Sequence, residues 1–125
     1  MGSKLLFLVA GAATACSPIP LSLSAPLVGG HQLREVITGR ERVVVLNPSD
    51  CYSCSVRLAQ AVAAARQGIP TAFVLTRAPT PAELRQLAHL SIQVNGALDD
   101  RVSVAVGTPA IFVVRAGQLV PASQP

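Results

Sequence analysis

Hydrophobic positions along this 125-residue chain change their spacing several times, and each change predicts an element. From His31 to Gly39, Leu33, Val36 and Ile37 fall at helical intervals and the run closes on a glycine, the pattern of a short amphipathic helix. Arg42-Val-Val-Val-Leu-Asn47 is a continuous apolar run of strand length, which predicts a strand buried on both faces. Pro48, Ser49 and Asp50 break it. The stretch from Tyr52 to Gln67 then spaces Val56, Ala59, Val62 and Ala63 as one helical face, until Gly68 and Pro70 stop it. A second buried strand, Thr71 to Thr76, follows.

Strand, helix, strand over about 35 residues is a βαβ unit, whose crossover requires parallel strands. Thr80-Pro81-Ala82-Glu83 has the form of a capping box with proline at the first helical position, so a further helix should run to about His89. Between Ser91 and Val106 the pattern is weaker. Asn95-Gly96 reads as a turn, and Val102, Val104 and Val106 alternate as in a short strand. Two apolar runs flanking Arg115 to Gly117 predict a terminal hairpin. The expected fold class is therefore an α/β sandwich on a mixed sheet, parallel first and antiparallel at its end.

The N-terminus follows a different logic. Lys4, an apolar run from Leu5 to Ala13 and then Thr14, Ala15 and Cys16 have the order of an export signal. The run is well below the roughly 20 residues that span a bilayer as a helix. Ala13, Thr14, Ala15 and Cys16 resemble the lipobox of bacterial lipoproteins, in which that cysteine is lipidated and becomes the first residue, although Ala13 stands where leucine is usual. The resemblance implies an exported, membrane-anchored protein of the bacterial envelope with its lipid on Cys16; simple secretory cleavage would leave it periplasmic or extracellular. Ser17 to Gly30 contains three Pro, three Ser and two Gly without a sustained period. It reads as a tether, reaching on the order of 40 Å at about 3.1 Å per residue, against the alternative that Leu21, Leu23 and Leu27 pack on the domain. The expected organisation is a signal over 1–15, a tether over 16–30 and one domain over 31–125.

Half of the residues are hydrophobic and 13% are charged, which excludes a disordered, highly charged chain. With one Tyr, three Phe and no Trp, the core must be built from Val, Leu, Ile and Ala. The net charge of +4 comes from Lys4 and nine scattered arginines against six acids. Without a basic stripe or stacking aromatics, no nucleic-acid partner is expected.

The candidate chemistry is Cys51-Tyr52-Ser53-Cys54, at the junction between the first strand and its helix. Unpaired N–H groups and the dipole at a helix start stabilise a thiolate, so Cys51 would be the nucleophile. Cys54, one turn on, would attack a mixed disulfide on Cys51 and release the substrate. Three other uses of the pair stand beside this one. A zinc site lacks a second CxxC, and His31 and His89 do not have ligand spacing. A structural disulfide would close too short a loop for much entropic gain. Copper handling would need a third ligand such as His89. No metal or organic cofactor is expected for exchange.

Taken with Thr108-Pro109 before the terminal hairpin, this arrangement resembles the thioredoxin-like superfamily over about residues 42–120. The resemblance implies catalytic Cys51 and Cys54, a cis proline at Pro109 beside them, and substrate contacts at Tyr52, Ser53, Thr108 and Pro109. It implies partners that are protein thiols and disulfides, together with a redox partner. The alternative within the same fold is a non-catalytic binding module or a copper-handling protein. Four departures stand out. Asp50 replaces the usual Trp before the first Cys, where it would either cap the helix or raise the Cys51 pKa. Tyr52-Ser53 replaces Gly-Pro, the buried acid of the core strand is absent, and no C-terminal helix is expected after Val120, so one sheet face would be covered by the His31 segment or by a partner. A peroxidase is disfavoured because Pro48 stands three residues before Cys51, where an activating hydroxyl would be needed.

Overall fold

The strand β1 (Arg42–Leu46) lies at the centre of a five-stranded sheet, and the valines that gave it a continuous apolar run are divided between its two sides. The structure is a computed structural model and describes residues 21–49, 56–102 and 108–122. In chain order its elements are α1 (Leu33–Ile37), β1, α2 (Val56–Arg66), β2 (Thr71–Leu75), α3 (Pro81–His89), β3 (Val94–Ala97), β4 (Ala110–Arg115) and β5 (Gln118–Pro121). The sheet order is β3-β2-β1-β4-β5. β1 pairs in parallel with β2, Arg42 opposite Thr71 and Leu46 opposite Leu75, and β2 pairs in parallel with β3. β4 runs antiparallel to both β1 and β5. The fold is thus α/β on a mixed sheet, as expected. The hairpin turns through Ala116 and Gly117, both at positive φ, the geometry that matches strand twist in a two-residue loop.

Alternation in β1 and β2 sorts the core into two layers. Val43, Val45, Ala72 and Val74 face one way, towards α1 and the 21–30 segment, joined by Phe112 and Leu119. Val44, Leu46, Phe73 and Leu75 face α2 and α3. Both faces are dry, which is why the central strands carry no polar position after their first residues, Arg42 and Thr71.

Three expectations are corrected. The tether expected over 16–30 is held to the domain over its described part: Leu21, Ala25 and Leu27 are buried against the sheet, and Leu27 pairs with Leu98 in an isolated bridge, while Val28 to Gly30 are exposed. The apolar side chains outweigh the Pro, Ser and Gly around them, because they roof a face that, among the described residues, no long helix covers. The buried face of α2 is Leu58, Ala61, Val62 and Ala65, not the face centred on Val56, Ala59, Val62 and Ala63; Val56 is 70% exposed. In an alanine-rich helix many faces look alike, and Leu58, the largest side chain, sets the orientation. Finally, Asn95-Gly96 is inside β3 rather than at a turn, and Val102 closes a turn onto Asp99 rather than entering a strand. Val104 and Val106 lie outside the described residues.

The β3 correction has a clear cause. Phe73 is opposite Val94 but Val74 is opposite Gly96, so Asn95 is an extra residue in a bulge. Its side-chain oxygen accepts the Phe73 N–H at 2.9 Å, replacing the ladder bond the bulge interrupts. The bulge places both Val94 and Ala97 on the α2/α3 face, a spacing of three that no strand pattern would show. Gly96 faces the other layer, where a Cβ would stand 3.2 Å from Leu27 Cδ1.

Among the described residues no helix follows β5. α1 and the 21–30 segment cover the Val43 and Val45 side, while Val120 on β5 is 38% exposed.

Candidate functional site

Parallel β1 and β2 define two ends of the molecule. At the C-terminal end of β1 the chain passes from Leu46 through Asn47, Pro48 and Ser49 towards the CxxC segment and α2. The Asn47 side-chain oxygen accepts from Ser49 N at 2.9 Å and from Ser49 Oγ at 2.7 Å, an Asx turn that ends the strand. Pro48 is fully buried beneath it. Thr76 N donates to Leu46 O at 3.0 Å, carrying the β1–β2 pairing one residue further on this side. Cys51, Tyr52, Ser53 and Cys54, together with Asp50, lie outside the described residues, as does Cys16.

Thr108 and Pro109 stand at this same end. Ala110 opens β4 opposite Val45, so Pro109 falls level with Leu46, where β1 hands over to the segment carrying the cysteines. Both residues are half-buried and the peptide bond between them is cis, the conformation that the resemblance implies. The cysteine segment therefore follows, in the chain, a strand whose antiparallel neighbour is immediately preceded by this proline.

Charged pairs frame this end. The Arg77 guanidinium bonds the Glu83 carboxylate through both forks, Nη1 to Oε1 at 3.0 Å and Nη2 to Oε2 at 2.8 Å, and Nη1 also donates to Ala78 O. This pair ties the loop after β2 to the first turn of α3, where Thr80 and Glu83 form the expected capping box. Hydrogen bonds from Arg77 and then from the Thr80 backbone lower the Glu83 pKa to about 2. Asp99, just beyond β3, is lowered to about 2 by its bond to the Arg101 side chain and then by the Arg101 backbone. Neither pair was legible as a feature of the site, because Arg77 and Asp99 are brought to one end only by the parallel order of β1, β2 and β3.

The histidines are elsewhere. His31 Nδ1 lies 3.0 Å from Glu35 Oε1 on an exposed part of the α1 segment. His89 closes α3 at the opposite end of the sheet from Pro109. Among the described residues no three His, Cys, Asp or Glu side chains are grouped so as to hold a metal ion, and no helix is long and apolar enough to cross a membrane. Compared with models of known protein families, with curated proteins and with solved structures, the chain matches none.

Proposed function

We propose that the chain is a thioredoxin-like thiol–disulfide oxidoreductase of the bacterial envelope, anchored by a lipid on Cys16. The observation that carries this reading is the convergence at one end of the sheet: the strand leading to Cys51-x-x-Cys54 is paired with a strand immediately preceded by cis-Pro109. Parallel β1 and β2 followed by the antiparallel β4–β5 hairpin is the strand arrangement that the resemblance implies, and it supports the finer fold assignment. The position of His89 at the far end favours exchange over copper handling, which would need a third ligand near the cysteines.

In the reducing direction the Cys51 thiolate attacks one sulfur of a substrate disulfide. A Cys51–substrate bond forms and the other substrate sulfur leaves as a thiolate, to be protonated by solvent. The Cys54 thiol, losing its proton, then attacks the Cys51 sulfur; the Cys51–Cys54 bond forms, the second substrate thiolate leaves, and two electrons have passed from the pair to the substrate. The oxidising direction is the reverse. Thr108 and Pro109, with Tyr52 and Ser53, would shape the contact with the substrate chain.

The test is a trapping experiment. Cys54→Ser should accumulate a mixed disulfide with an oxidised peptide substrate, resolved only by added thiol, whereas Cys51→Ser should accumulate none. Absence of an adduct on Cys54→Ser would remove the exchange reading and leave the static binding module. Mass spectrometry of the envelope-extracted protein tests the anchor separately: a chain beginning at a diacylated Cys16 is expected, and an unmodified Cys16 behind an intact Met1 would refute it.

A further inference from the structure

The end of the sheet opposite Pro109 is as distinctive as the thiol end. There β1 and β2 begin, α2 and α3 finish, and the β4–β5 hairpin turns. Arg40 and Arg66 line a cleft of about 330 Å³ at this end, whose wall also carries Ser91, Gln93 and Asn95. Arg40 is held there by donating from Nη1 to Thr71 O at 3.1 Å. Arg34 shares a neighbouring cleft with Arg40 and with Gly117 of the hairpin turn, and Arg115 stands at the hairpin's edge. Among the described residues none of these four arginines is paired with a carboxylate, while the acids Glu83 and Asp99 are bonded to arginines at the end where Pro109 stands. Glu41 is the acid beside Arg40, and Glu35 is turned to His31.

A second observation comes from the path of the chain. Leu21, where the described chain begins, shares a cleft with Gln118 and Leu119, the first residues of β5 after the hairpin turn. Because 21–30 is packed rather than free, the leash from Cys16 to Leu21 is five residues, at most about 17 Å when fully extended. A lipid on Cys16 would hold the hairpin end near the bilayer.

We infer that this arginine-bearing end is a docking surface for anionic phospholipid headgroups. Guanidinium groups match phosphate oxygens in geometry and charge, and the polar wall of the Arg40–Arg66 cleft suits the hydroxyls of a glycerol headgroup. Docked in this way, the domain presents Pro109 and the cysteine segment away from the membrane. The lipid anchor belongs to the reading above; the headgroup preference rests on the arginines alone, and the test separates the two.

Full-length protein is partitioned onto phosphatidylglycerol and onto phosphatidylcholine vesicles. An acyl anchor raises binding to both, so the ratio between them reports the surface. The wild type should prefer the anionic vesicles, with the preference shrinking as salt is added. The Arg66 and Arg115 side chains are exposed and form no hydrogen bond or ion pair among the described residues, so replacing them leaves the fold intact. Arg66→Gln with Arg115→Gln should reduce anionic binding roughly 25-fold, about fivefold per arginine, and Arg85→Gln, in the middle of α3, should reduce it far less. Persistence of the ratio in Cys16→Ser supports the surface even if the anchor proves wrong. Equal partition onto both vesicles, a ratio untouched by the double variant, or saturable binding of inorganic phosphate without vesicle preference would each overturn the proposal.

Discussion

The two faces of the sheet are covered in opposite styles. One is packed by α2 and α3, with Leu58, Ala61 and Leu87 buried over Val44, Leu46, Phe73 and Leu75. The other is roofed by a five-residue helix and an irregular stretch rich in proline and serine, yet Leu21, Leu27 and Leu33 are buried to the same degree as Leu58 and Phe73 of the helical layer. A layer needs apolar side chains at the right places more than it needs periodicity. The irregular layer satisfies its backbone by borrowing from the sheet edge: Val28 N donates to Ala97 O at 2.8 Å, and Asp99 N to Pro26 O at 3.0 Å. These bonds also cover the end of β3, which would otherwise be an open edge.

The strongest way to break the comparison is to remove one buried leucine from each layer. Leu33 and Leu87 are both fully buried, so Leu33→Ala and Leu87→Ala should each cost about 2–5 kcal/mol in chemical denaturation. A loss below about 1 kcal/mol for Leu33→Ala alone would reduce the 21–39 layer to a loose strap. Next in size is the contact between the irregular layer and the sheet edge. Gly96→Val overfills the space next to Leu27 and should cost about 1–3 kcal/mol, and Leu27→Ala in the same chain should recover part of it if the clash is with that side chain.

Both layers use helix caps: Glu35 accepts the Gln32 N–H at 2.9 Å at the start of α1, as Thr80 accepts Glu83 N at the start of α3. Thr80→Ala removes the oxygen that accepts Glu83 N and should cost about 1 kcal/mol. The smallest expected effect is in the acid limb of stability. Glu83 has its folded pKa lowered to about 2 from an ordinary 4.5, so its contribution is complete above pH 4.5 and is lost as pH falls from there towards 2. Glu83→Gln should flatten that limb in a pH-dependent unfolding series without abolishing it, since Asp99 is shifted in the same direction.

The same contrast explains what could be read before the fold was seen. β1, β2, the capping box of α3 and the hairpin are local patterns, and each was legible because one residue type at one spacing decides it. The order β3-β2-β1-β4-β5 was legible only for the βαβ unit and the hairpin. β3 was hidden by its bulge, since Val94 and Ala97 share a face only because Asn95 is extra. The 21–30 layer was hidden by composition: Pro, Ser and Gly dominate the count, while three leucines and an alanine carry the packing. At the candidate site, Thr108, Pro109 and the cysteine spacing were visible in sequence. The arginines at the opposite end were not, because residues distant in sequence meet there only through parallel strand order, and the Arg77–Glu83 pair, local in itself, falls at the site's end only because β1 and β2 are parallel.

The central claim is that the cysteine pair exchanges electrons rather than standing as a fixed crosslink. Equilibrating the purified protein in graded thiol–disulfide buffers and alkylating the free thiols measures this directly. The account predicts a reversible two-electron transition of Cys51 and Cys54 at a potential less negative than about −300 mV, the region above structural disulfides. A pair that stays oxidised below that potential would contradict it.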